Sequence, residues 1–533
     1  MVLLTLGAAL LGGGILRGAQ TSPNRTLISD EGISYLAATG HQAEYSEIVA
    51  NKRHPYGAWA KASEWKRLIN IEGKFCFGQI GADLASKDIH PPLYFWLLHL
   101  WTMVVGVHLW TGPSLNILIA AVTTVALFGL GREVTGNPVY GAFVAFIWAV
   151  SPTVIPTSIQ ARQYDLLGLC TTLFVWQVVR CSNAGRPGGW KPLVLLGVFT
   201  SAALLTYYHA VLLVFGCGLL LLMRLLRRNR RRLAYCCLSI GAGCAAFVLL
   251  HPGFLHSVDR ARAQAQPFSP EELTYRLERV LTRYTSFFVD TSILHGKTRT
   301  FVEYFVLVLF ALVSVKLIVA CLQDWRAARR SRSETDSVRF HLFLLFLWAA
   351  TTNILLYVSC ASPRHAMEPK HPSMVYPLLA LSTILILHSF RRGRTILMSC
   401  LCLVLLATAA QSVLHRRDAA RGTRPPSAAL AGADTIIIDN LSRLILPSAM
   451  VHFPDDLGVF AASQKDLLAH PARWVDRLGD KSLCISGARS KQERARLDAM
   501  LRLLIPKYDV AQFKGGIGGR GMVLRLTRRA PSR

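Results

Sequence analysis

The sequence predicts an α-helical polytopic membrane protein of about eleven spans, followed by a C-terminal extracytoplasmic α/β domain. The composition is 52% hydrophobic and only 17% charged over 533 residues, whereas a soluble chain carries about a quarter charged residues. Apolar segments long enough to cross a bilayer, about 17–25 residues, recur along most of the chain. Short strand-like and helical segments alternate after them.

The charge of the chain is concentrated in short loops between the apolar segments. The formal net charge is +28, and the basic runs include "RLLRRNRRR" from Arg224 and "RAARRSR" from Arg326. Basic loops between spans mark the cytoplasmic face by the positive-inside rule. We therefore interpret the excess charge as topology, with some capacity to hold anionic lipid, and we expect no nucleic-acid partner.

The cysteines and the N-terminus indicate neither a metal centre nor a cleaved leader. Twelve cysteines are scattered without a CxxC pair or the His/Cys spacing of zinc ligands. They predict neither a zinc site nor a disulfide framework. The N-terminal "MVLLTLGAALLGGGIL" lacks a basic n-region and a small-residue cleavage site, so we interpret it as a first span rather than a removed signal peptide.

The order of apolar segments and basic loops predicts the topology. The strongest basic loops, 224–232, 326–339 and 391–394, are expected to be cytoplasmic. The apolar segments that supply the candidate spans are 2–16, 93–110, 114–131, 139–157, 165–180, 192–209, 210–226, 233–251, 303–322, 340–360, 373–390 and 395–414.

The segment 93–110 does not fit this topology as a span. If it crossed the membrane, the preceding loop would be cytoplasmic, but that loop has no basic cluster of the kind seen elsewhere. Its Trp and Tyr content permits an amphipathic helix along the outer interface, with Asp88 and His90 at its start. Eleven spans then remain, with the N-terminus inside. The sizeable non-membrane pieces all share the outer face: 17–112, 252–302, 361–372 and the tail from 415.

The tail alternates between two kinds of segment. Strands are predicted at "DTIIID", "LGVFAAS", "KSLCISG", "KYDVAQF" and "MVLRLTR", and helices at "SQKDLLAHPARWVDRLG" and "SKQERARLDAMLRLLI". "FKGGIGG" precedes a strand and opens no helix, so it predicts a turn rather than a phosphate loop. The chain therefore divides into a transmembrane catalytic domain, 1–414, whose first outer loop 17–112 carries interfacial helices, and an extracytoplasmic α/β domain, 415–533.

Acidic residues recur at the predicted outer edge of the membrane. Asp30 and Glu31 follow the first span in "LISDEGISYLA", Asp88 begins the interfacial helix, and Asp165 begins the span 165–180. Taken alone, Asp30 and Glu31 are ordinarily a solvated pair. Three carboxylates that share one cavity would bind a divalent cation or take a proton from a hydroxyl. Asp30, Asp88 and Asp165 are therefore a candidate metal-binding set.

Cations are predicted at the same depth. Arg162 lies in the turn before Asp165. The segment "SPRHAMEPKHPSMVYP" contains two adjacent basic pairs, Arg364 with His365 and Lys370 with His371. A ring of such cations at the outer leaflet suits a phosphate held at headgroup level. For Lys370 and His371, which directly precede a span, ordinary interfacial anchoring is an equal alternative.

Four segments together resemble one family. "DEGISYLAAT", "DIHPPLYFWLLHLW", "SP…QARQYDLL" and "KHPSMVYPLLAL" occur in the order seen in bacterial family 39 glycosyltransferases, the protein O-mannosyltransferase-like group with the multispan GT-C architecture. The resemblance covers about 25–180 well and 360–390 loosely. The tail also resembles the outer α/β domain of some members.

The resemblance implies a reaction. Such enzymes move a single sugar from a polyprenyl-phosphate carrier to an acceptor at the outer face, with inversion at the anomeric carbon. It implies that Asp30 deprotonates or orients the acceptor hydroxyl with support from Glu31. It places Asp88 and His90 near the donor phosphate or a metal. It also implies a bacterial inner (plasma) membrane location with the active site facing the periplasm.

The lipid phosphate requires positive charge as it leaves. Residues suited to bind the donor phosphate or the substrate, beyond Asp88 and His90, are Arg162, Tyr164, Lys370 and His371. The loop 252–302, which includes Arg260, is a candidate to close over the cavity.

One departure concerns the metal. Many relatives have Glu-Ala-Arg where this chain has Gln160-Ala161-Arg162, so a carboxylate is missing there. Asp165, one helical turn further on, is where the related aminoarabinose transferase has a metal-binding Asp. We expect Asp165 to take that acidic role, with a divalent cation as a candidate cofactor.

Two other functions remain open from the residues: a lipid-linked sugar flippase or transporter, and an O-antigen-type oligosaccharide ligase. A flippase is expected to tolerate Asp30→Asn, and a ligase to require a diphosphate-linked donor. The sequence leaves open which sugar is moved and whether the acceptor is a glycan, a lipid or a protein.

Overall fold

The fold was analysed on a computed structural model of the chain. The structure describes residues 2–21, 25–182, 189–264, 270–291, 297–306, 334–360, 370–388, 394–421, 430–439, 445–488, 490–513 and 522–529, with a few single residues between these ranges. Arg364, His365, most of the basic loop 326–339, most of the span 303–322 and the turn "FKGGIGG" lie outside the described residues.

The membrane part is a bundle of apolar helices. Helices long and apolar enough to cross a bilayer are α1 (Val2–Gln20), α7 (Thr111–Thr135), α13 (Arg230–Leu250) and the central part of α18 (Arg394–Arg421). Shorter or more polar members are α8 (Pro138–Ala149), α9 (Val154–Ser158), α10 (Tyr164–Ser182), α11 (Trp190–Thr206), α12 (Ala210–Leu225), α16 (Glu334–Cys360) and α17 (Tyr376–His388). The predicted multi-pass helical architecture is confirmed, whereas the count of eleven spans stays a prediction.

The first outer loop is largely helical. Its helices are α2 (Ser29–Ala38), α3 (Gln42–Ala50), α4 (Ala62–Lys66), α5 (Phe77–Lys87) and α6 (Leu93–Val105). The second outer loop contributes α14 (Phe254–Gln264) and α15 (Leu273–Thr285). The predicted interfacial segment corresponds to α6, whose 13 residues are fewer than the about 20 that a perpendicular span needs. Its orientation along the interface stays a prediction.

The tail folds around a six-stranded sheet in the order β1-β3-β2-β4-β6-β5. The five predicted strands are confirmed as β2 (Thr435–Ile438), β3 (Gly458–Ala461), β4 (Lys481–Ser486), β5 (Tyr508–Phe513) and β6 (Met522–Arg528). The helices of the tail are α19 (Ile445–Met450), α20 (Gln464–Ala469) and α21 (Lys491–Leu504). β2 pairs in parallel with β3 and β4, and the other pairings are antiparallel.

The sixth strand comes from the first outer loop. β1 (Trp59–Lys61) pairs antiparallel with β3, with Trp59 opposite Phe460. The two rings pack edge to face at 5.5 Å, an arrangement that aromatic pairs favour. The first outer loop and the tail therefore share one sheet, although they are nearly 400 residues apart in the chain.

A second contact joins the tail to α2. A Cβ on Gly32 would lie 2.6 Å from the backbone nitrogen of Ser448 in α19, so only glycine lets these helices approach so closely. On the other side of the site, a Cβ on Gly112 would lie 2.3 Å from the Cβ of Ala161. Gly32 thus lets α2 pack closely against the tail. Gly112 lets the start of α7 pack closely against the turn before α10.

We expect Gly32→Ala to lower the thermal unfolding midpoint of the purified protein. The new Cβ would meet the backbone of Ser448, and overpacking of this kind costs about 1–3 kcal/mol, more than the gain of about 1 kcal/mol in helix propensity. Gly218→Ala in α12 is the matched control because its Cβ would meet nothing within 4 Å. An unfolding midpoint of Gly32→Ala equal to or higher than those of the parent and of Gly218→Ala would contradict the close packing of α2 on α19.

Candidate active site

Asp30 lies in the first turn of α2, where a carboxylate is favoured by the positive end of the helix dipole. Its Oδ2 accepts a hydrogen bond of 2.8 Å from Nζ of Lys370. The Lys370 side chain is 8% exposed, whereas that of Asp30 is 40% exposed. The buried ammonium therefore holds one oxygen of a carboxylate that a second molecule can still reach.

The electrostatic surroundings keep Asp30 ionised. Burial by itself would raise the pKa of this carboxyl, but the nearby guanidinium of Arg162 and the ammonium of Lys370 together lower it to about 2. Opposite charges within a few ångströms favour the charged form in this way. Asp30 is consequently an anion at any pH at which the protein would work.

Arg162 links Asp30 to the residues at the start of α6. One guanidinium nitrogen, Nη1, lies 3.3 Å from both the Asp30 carbonyl oxygen and the Ser34 hydroxyl. The other, Nη2, lies 3.0 Å from Nε2 of His90. His90 in turn contacts a carboxylate oxygen of Asp88 through Nδ1. Asp88, His90, Arg162 and Asp30 therefore form one continuous series of polar contacts.

The donors in this series fix the tautomer of His90. A guanidinium can only donate hydrogen bonds, so Nε2 of His90 must accept from Arg162. Nδ1 then carries the proton and donates to Asp88. Because a carboxylate that orients one ring nitrogen determines the role of the other, Asp88 acts on Arg162 through His90.

Asp88 is itself held by several donors. It accepts hydrogen bonds from the Gln42 side chain at 2.8 Å and from the Ile89 backbone at 2.6 Å. Burial would raise its pKa, but His90 and Arg162 lower that pKa well below the ordinary range. Arg260 donates to the carbonyl oxygens of Ala85, at 2.8 Å, and of Asp88, so this residue of the second outer loop braces the end of α5.

Glu31 occupies a different environment from its neighbour Asp30. Its side chain is 1% exposed and forms an ion pair with Arg25. It also accepts from the backbone nitrogens of Ala161, at 2.9 Å, and Ile28, at 3.1 Å. The contact with Ala161 ties α2 to the turn that carries Arg162, so Glu31 is placed to position Arg162.

Asp165 is grouped with other partners. It lies in hydrogen-bonding contact with Ser158 and in the field of Arg17 of α1, and Nε of Arg17 donates to Ser158 at 2.9 Å. Within the part of the chain that the structure describes, no three His, Cys, Asp or Glu side chains are arranged to hold a metal ion. Asp30, Asp88 and Asp165 thus do not assemble as one ligand set, and a metal requirement stays an untested prediction.

Aromatic and histidine side chains surround Lys370. The ammonium lies 5.7 Å from the centre of the Tyr164 ring, within cation–π distance. His371 stacks on Tyr357 with ring centres 5.0 Å apart. Burial, reinforced by the charge of Lys370, lowers the pKa of His371 to about 3, so its imidazole is neutral at neutral pH.

His209 is a further member that sequence analysis missed. It precedes α12 and lies in the electrostatic field of His90 and His371. Its Nδ1 is buried and finds no hydrogen-bond partner among the described residues. This buried ring therefore has spare hydrogen-bonding capacity at the site.

The structure brings most of the predicted residues together. Joined by direct contacts are Asp30, Asp88, His90, Arg162, Tyr164 and Lys370, with Glu31 directly behind and His371 beside Lys370. Supporting residues that sequence analysis did not single out are Arg25, Ser34, Gln42 and His209. They are isolated polar residues, and no spacing in the sequence marks them.

Comparison with known proteins identifies the architecture. Residues 89–251 match the family model described as dolichyl-phosphate-mannose-protein mannosyltransferase. The crystal structure of ArnT from Cupriavidus metallidurans bound to undecaprenyl phosphate is 13% identical over 98% of this chain and 97% of that chain, with a TM-score of 0.52. The archaeal oligosaccharyltransferase AglB from Archaeoglobus fulgidus is 9% identical over 98% of this chain and 74% of that chain, with a TM-score of 0.45. No curated protein sequence matches.

The family match begins one residue after Asp88. It includes His90 and the turn with Arg162. The likeness to ArnT extends over nearly the whole chain, including the tail. These findings confirm the resemblance seen in the sequence: the chain has the fold of the GT-C superfamily glycosyltransferases and is similar in its core to the dolichyl-phosphate-mannose-protein mannosyltransferase family.

Proposed function

We propose that the protein is a membrane glycosyltransferase that moves a single sugar from a polyprenyl-phosphate carrier to a hydroxyl of an acceptor, with inversion at the anomeric carbon. The observation that carries the proposal is the exposed carboxylate of Asp30 beside two cations, Lys370 and Arg162. This arrangement supplies both a proton acceptor and a site for a leaving phosphate. The undecaprenyl phosphate bound by ArnT and the lipid phosphate named in the family description support such a donor.

The reaction requires one displacement. The acceptor oxygen forms a bond to the anomeric carbon as the bond between that carbon and the phosphate oxygen breaks, and the electron pair of that bond leaves with the lipid phosphate. Asp30 takes the proton of the hydroxyl as general base. Lys370 and Arg162 stabilise the negative charge that develops on the phosphate.

Lys370 couples the binding of the donor phosphate to the basicity of Asp30. A carboxylate with a pKa of about 2 orients a hydroxyl well but is a weak base. When a donor phosphate competes for Lys370, Asp30 loses part of its pairing while it stays partly buried, and its pKa rises. Binding of the donor would thereby strengthen the base that activates the acceptor.

The proposed reaction takes place at the outer face of a bacterial inner membrane, with the site facing the periplasm. The positions of the basic loops support this side for the first outer loop and the tail.

We expect Asp30→Asn to reduce transfer by about 10²–10⁴-fold, the usual contribution of a general base. The purified protein in lipid nanodiscs would be given labelled polyprenyl-phosphate sugars and crude acceptor membranes, and labelled product would be counted. Asp480→Asn is the matched control because the Asp480 side chain is 79% exposed and pairs only with Arg528 among the described residues.

Turnover by the parent and the control, together with loss in Asp30→Asn, would support the transferase. Transport of the lipid-linked sugar without transfer, unaffected by Asp30→Asn, would indicate a flippase, and activity only with diphosphate-linked donors would indicate a ligase. A parallel reaction with EDTA tests the metal requirement.

The pH profile provides a second prediction. Because the pKa of Asp30 is lowered to about 2, the ionised base is fully present above about pH 4, and Asp30 should impose no acid limb between about pH 5 and pH 8.

Lys370→Met removes a neighbouring cation while burial remains, so the pKa of Asp30 rises and an acid limb should move upward into the measured range. The profile of residual kcat/KM would be compared with that of Lys507→Met, an exposed lysine paired with Asp476. Superimposable profiles would contradict the coupling of Lys370 to Asp30.

Glu31 is predicted to act through Arg162 rather than on the substrate. Glu31→Ala removes the ion-pair partner of Arg25 and the acceptor of the Ala161 nitrogen, and breaking a buried ion pair costs about 3–5 kcal/mol. Glu31→Gln keeps an oxygen that accepts from Ala161 and should retain more thermal stability and more turnover than Glu31→Ala. If Glu31→Gln were as inactive as Asp30→Asn while folding normally, Glu31 would instead be a direct participant.

A further inference from the structure

A cavity lies beside the α6–α7 turn, where the first outer loop meets the tail. It has a volume of about 650 Å³, within the range of small-molecule sites. Four segments line it: the residues that follow α1, the 3₁₀ helix Arg67–Ile69 with the residues beside it, the α6–α7 turn and the tail. We call it the outer pocket and define it by Arg25, Lys66, Asn70, His108, Trp110 and Asp455.

An aromatic platform forms one wall of the outer pocket. The rings of His108 and Trp110 are stacked, with centres 5.8 Å apart and planes inclined by 11°. His108 covers one face of the indole, yet Trp110 remains 50% exposed. A half-exposed indole presents a flat, electron-rich face, on which the axial C–H bonds of a pyranose ring can pack.

The polar groups of the pocket are mostly paired. Arg25 forms an ion pair with Glu31, and Lys66 forms one with Asp455 while donating to the Phe453 carbonyl at 3.2 Å. The two cations are thus balanced by carboxylates, so the pocket does not have the net positive charge expected of a phosphate site. Charged and amide groups around a flat ring instead suit a ligand with many hydroxyls.

The outer pocket is attached to the helix that carries Asp30. Arg25 donates to the Leu109 carbonyl at 3.2 Å and pairs with Glu31, the neighbour of Asp30. The Tyr35 hydroxyl, also on α2, donates to the His108 carbonyl at 3.1 Å. Asp30 and Tyr35 are five residues apart, which is about 7.5 Å along a helix axis. A ligand of a few saccharide rings would reach from the platform to the carboxylate.

We infer that the outer pocket binds a pyranose ring of the acceptor, stacked on Trp110, and that the acceptor is therefore a glycan. The inference rests on the proposed glycosyl transfer. The hydroxyl presented to Asp30 belongs to a ring beyond the one held at Trp110. Arg25, Asn70 and Asp455 hydrogen-bond the hydroxyls of the bound ring.

Trp110→Ala tests the inference in two ways. In the transfer assay, the acceptor-membrane concentration for half-maximal transfer should rise about five- to tenfold, the size of a lost ring contact, with a smaller change in the maximal rate. Trp190→Ala is the matched control, since Trp190 is 68% exposed and is not part of the outer pocket.

The second test needs no turnover. Saturation-transfer NMR on the full-length protein in nanodiscs would use a panel of methyl pyranosides as probes. Signals from ring C–H protons are expected with the parent and with Trp190→Ala, and their loss with Trp110→Ala.

The two readouts separate the possible failures. Saccharide binding at Trp110 in a parent that transfers no sugar would overturn the proposed transfer and leave the pocket a saccharide site. Transfer that responds equally to Trp110→Ala and Trp190→Ala, with saccharide signals unchanged, would overturn the pocket and leave the transfer standing.

Discussion

The guanidinium of Arg162 is the charge around which the site is built. Arg162 is 4% exposed, and a buried cation without partners is costly. Its partners come from distant parts of the chain: Asp30 and Ser34 from α2 and His90 from the start of α6. Because these contacts to Arg162 form only when the segments meet, the same interactions that stabilise the fold also assemble the site.

The supports of Arg162 also come from more than one direction. Glu31 holds the preceding residue, Ala161, through its backbone nitrogen. The side-chain amide of Asn116 in α7 donates to the carbonyl oxygens of Gln160 and Arg162. The turn is therefore fixed by a carboxylate on one side and an amide on the other. A turn held in this way keeps a charged group in place without relying on the flexible arginine side chain alone.

The sequence predicted the parts of this arrangement that depend on composition and short motifs. Hydropathy located the helices α7, α10 and α13 because long apolar segments are a strong signal, and short strand-like segments between helical ones located the five strands in the described part of the tail. Asp30, His90 and Arg162 were found because they lie at the predicted outer edge of the membrane and because their motifs resemble a family.

What sequence analysis missed depends on long-range contacts. The strand β1 has only three residues and is defined by its pairing with β3, which no local pattern encodes. Gln42 and His209 are single polar residues whose roles arise from the side chains packed around them. Asp165 was expected beside Asp30 and Asp88, but Arg17 and Ser158 are its neighbours, since the neighbours of a helical residue depend on how the helix packs in the bundle.

The sheet that the first outer loop shares with the tail links the tail to the geometry of the site. β1 and Lys66 connect the first outer loop to the tail through strand pairing and an ion pair with Asp455, and Gly32 brings α2 directly onto α19. A shift of the tail relative to the membrane would therefore move α2, and with it the distance between Asp30 and Lys370. Since α17 follows Lys370 and belongs to the membrane bundle, the ion pair between Asp30 and Lys370 joins the first outer loop to that bundle. The tail thus contributes to the geometry of the site through α2, although the polar contacts described around Asp30 come from the membrane part and its first outer loop.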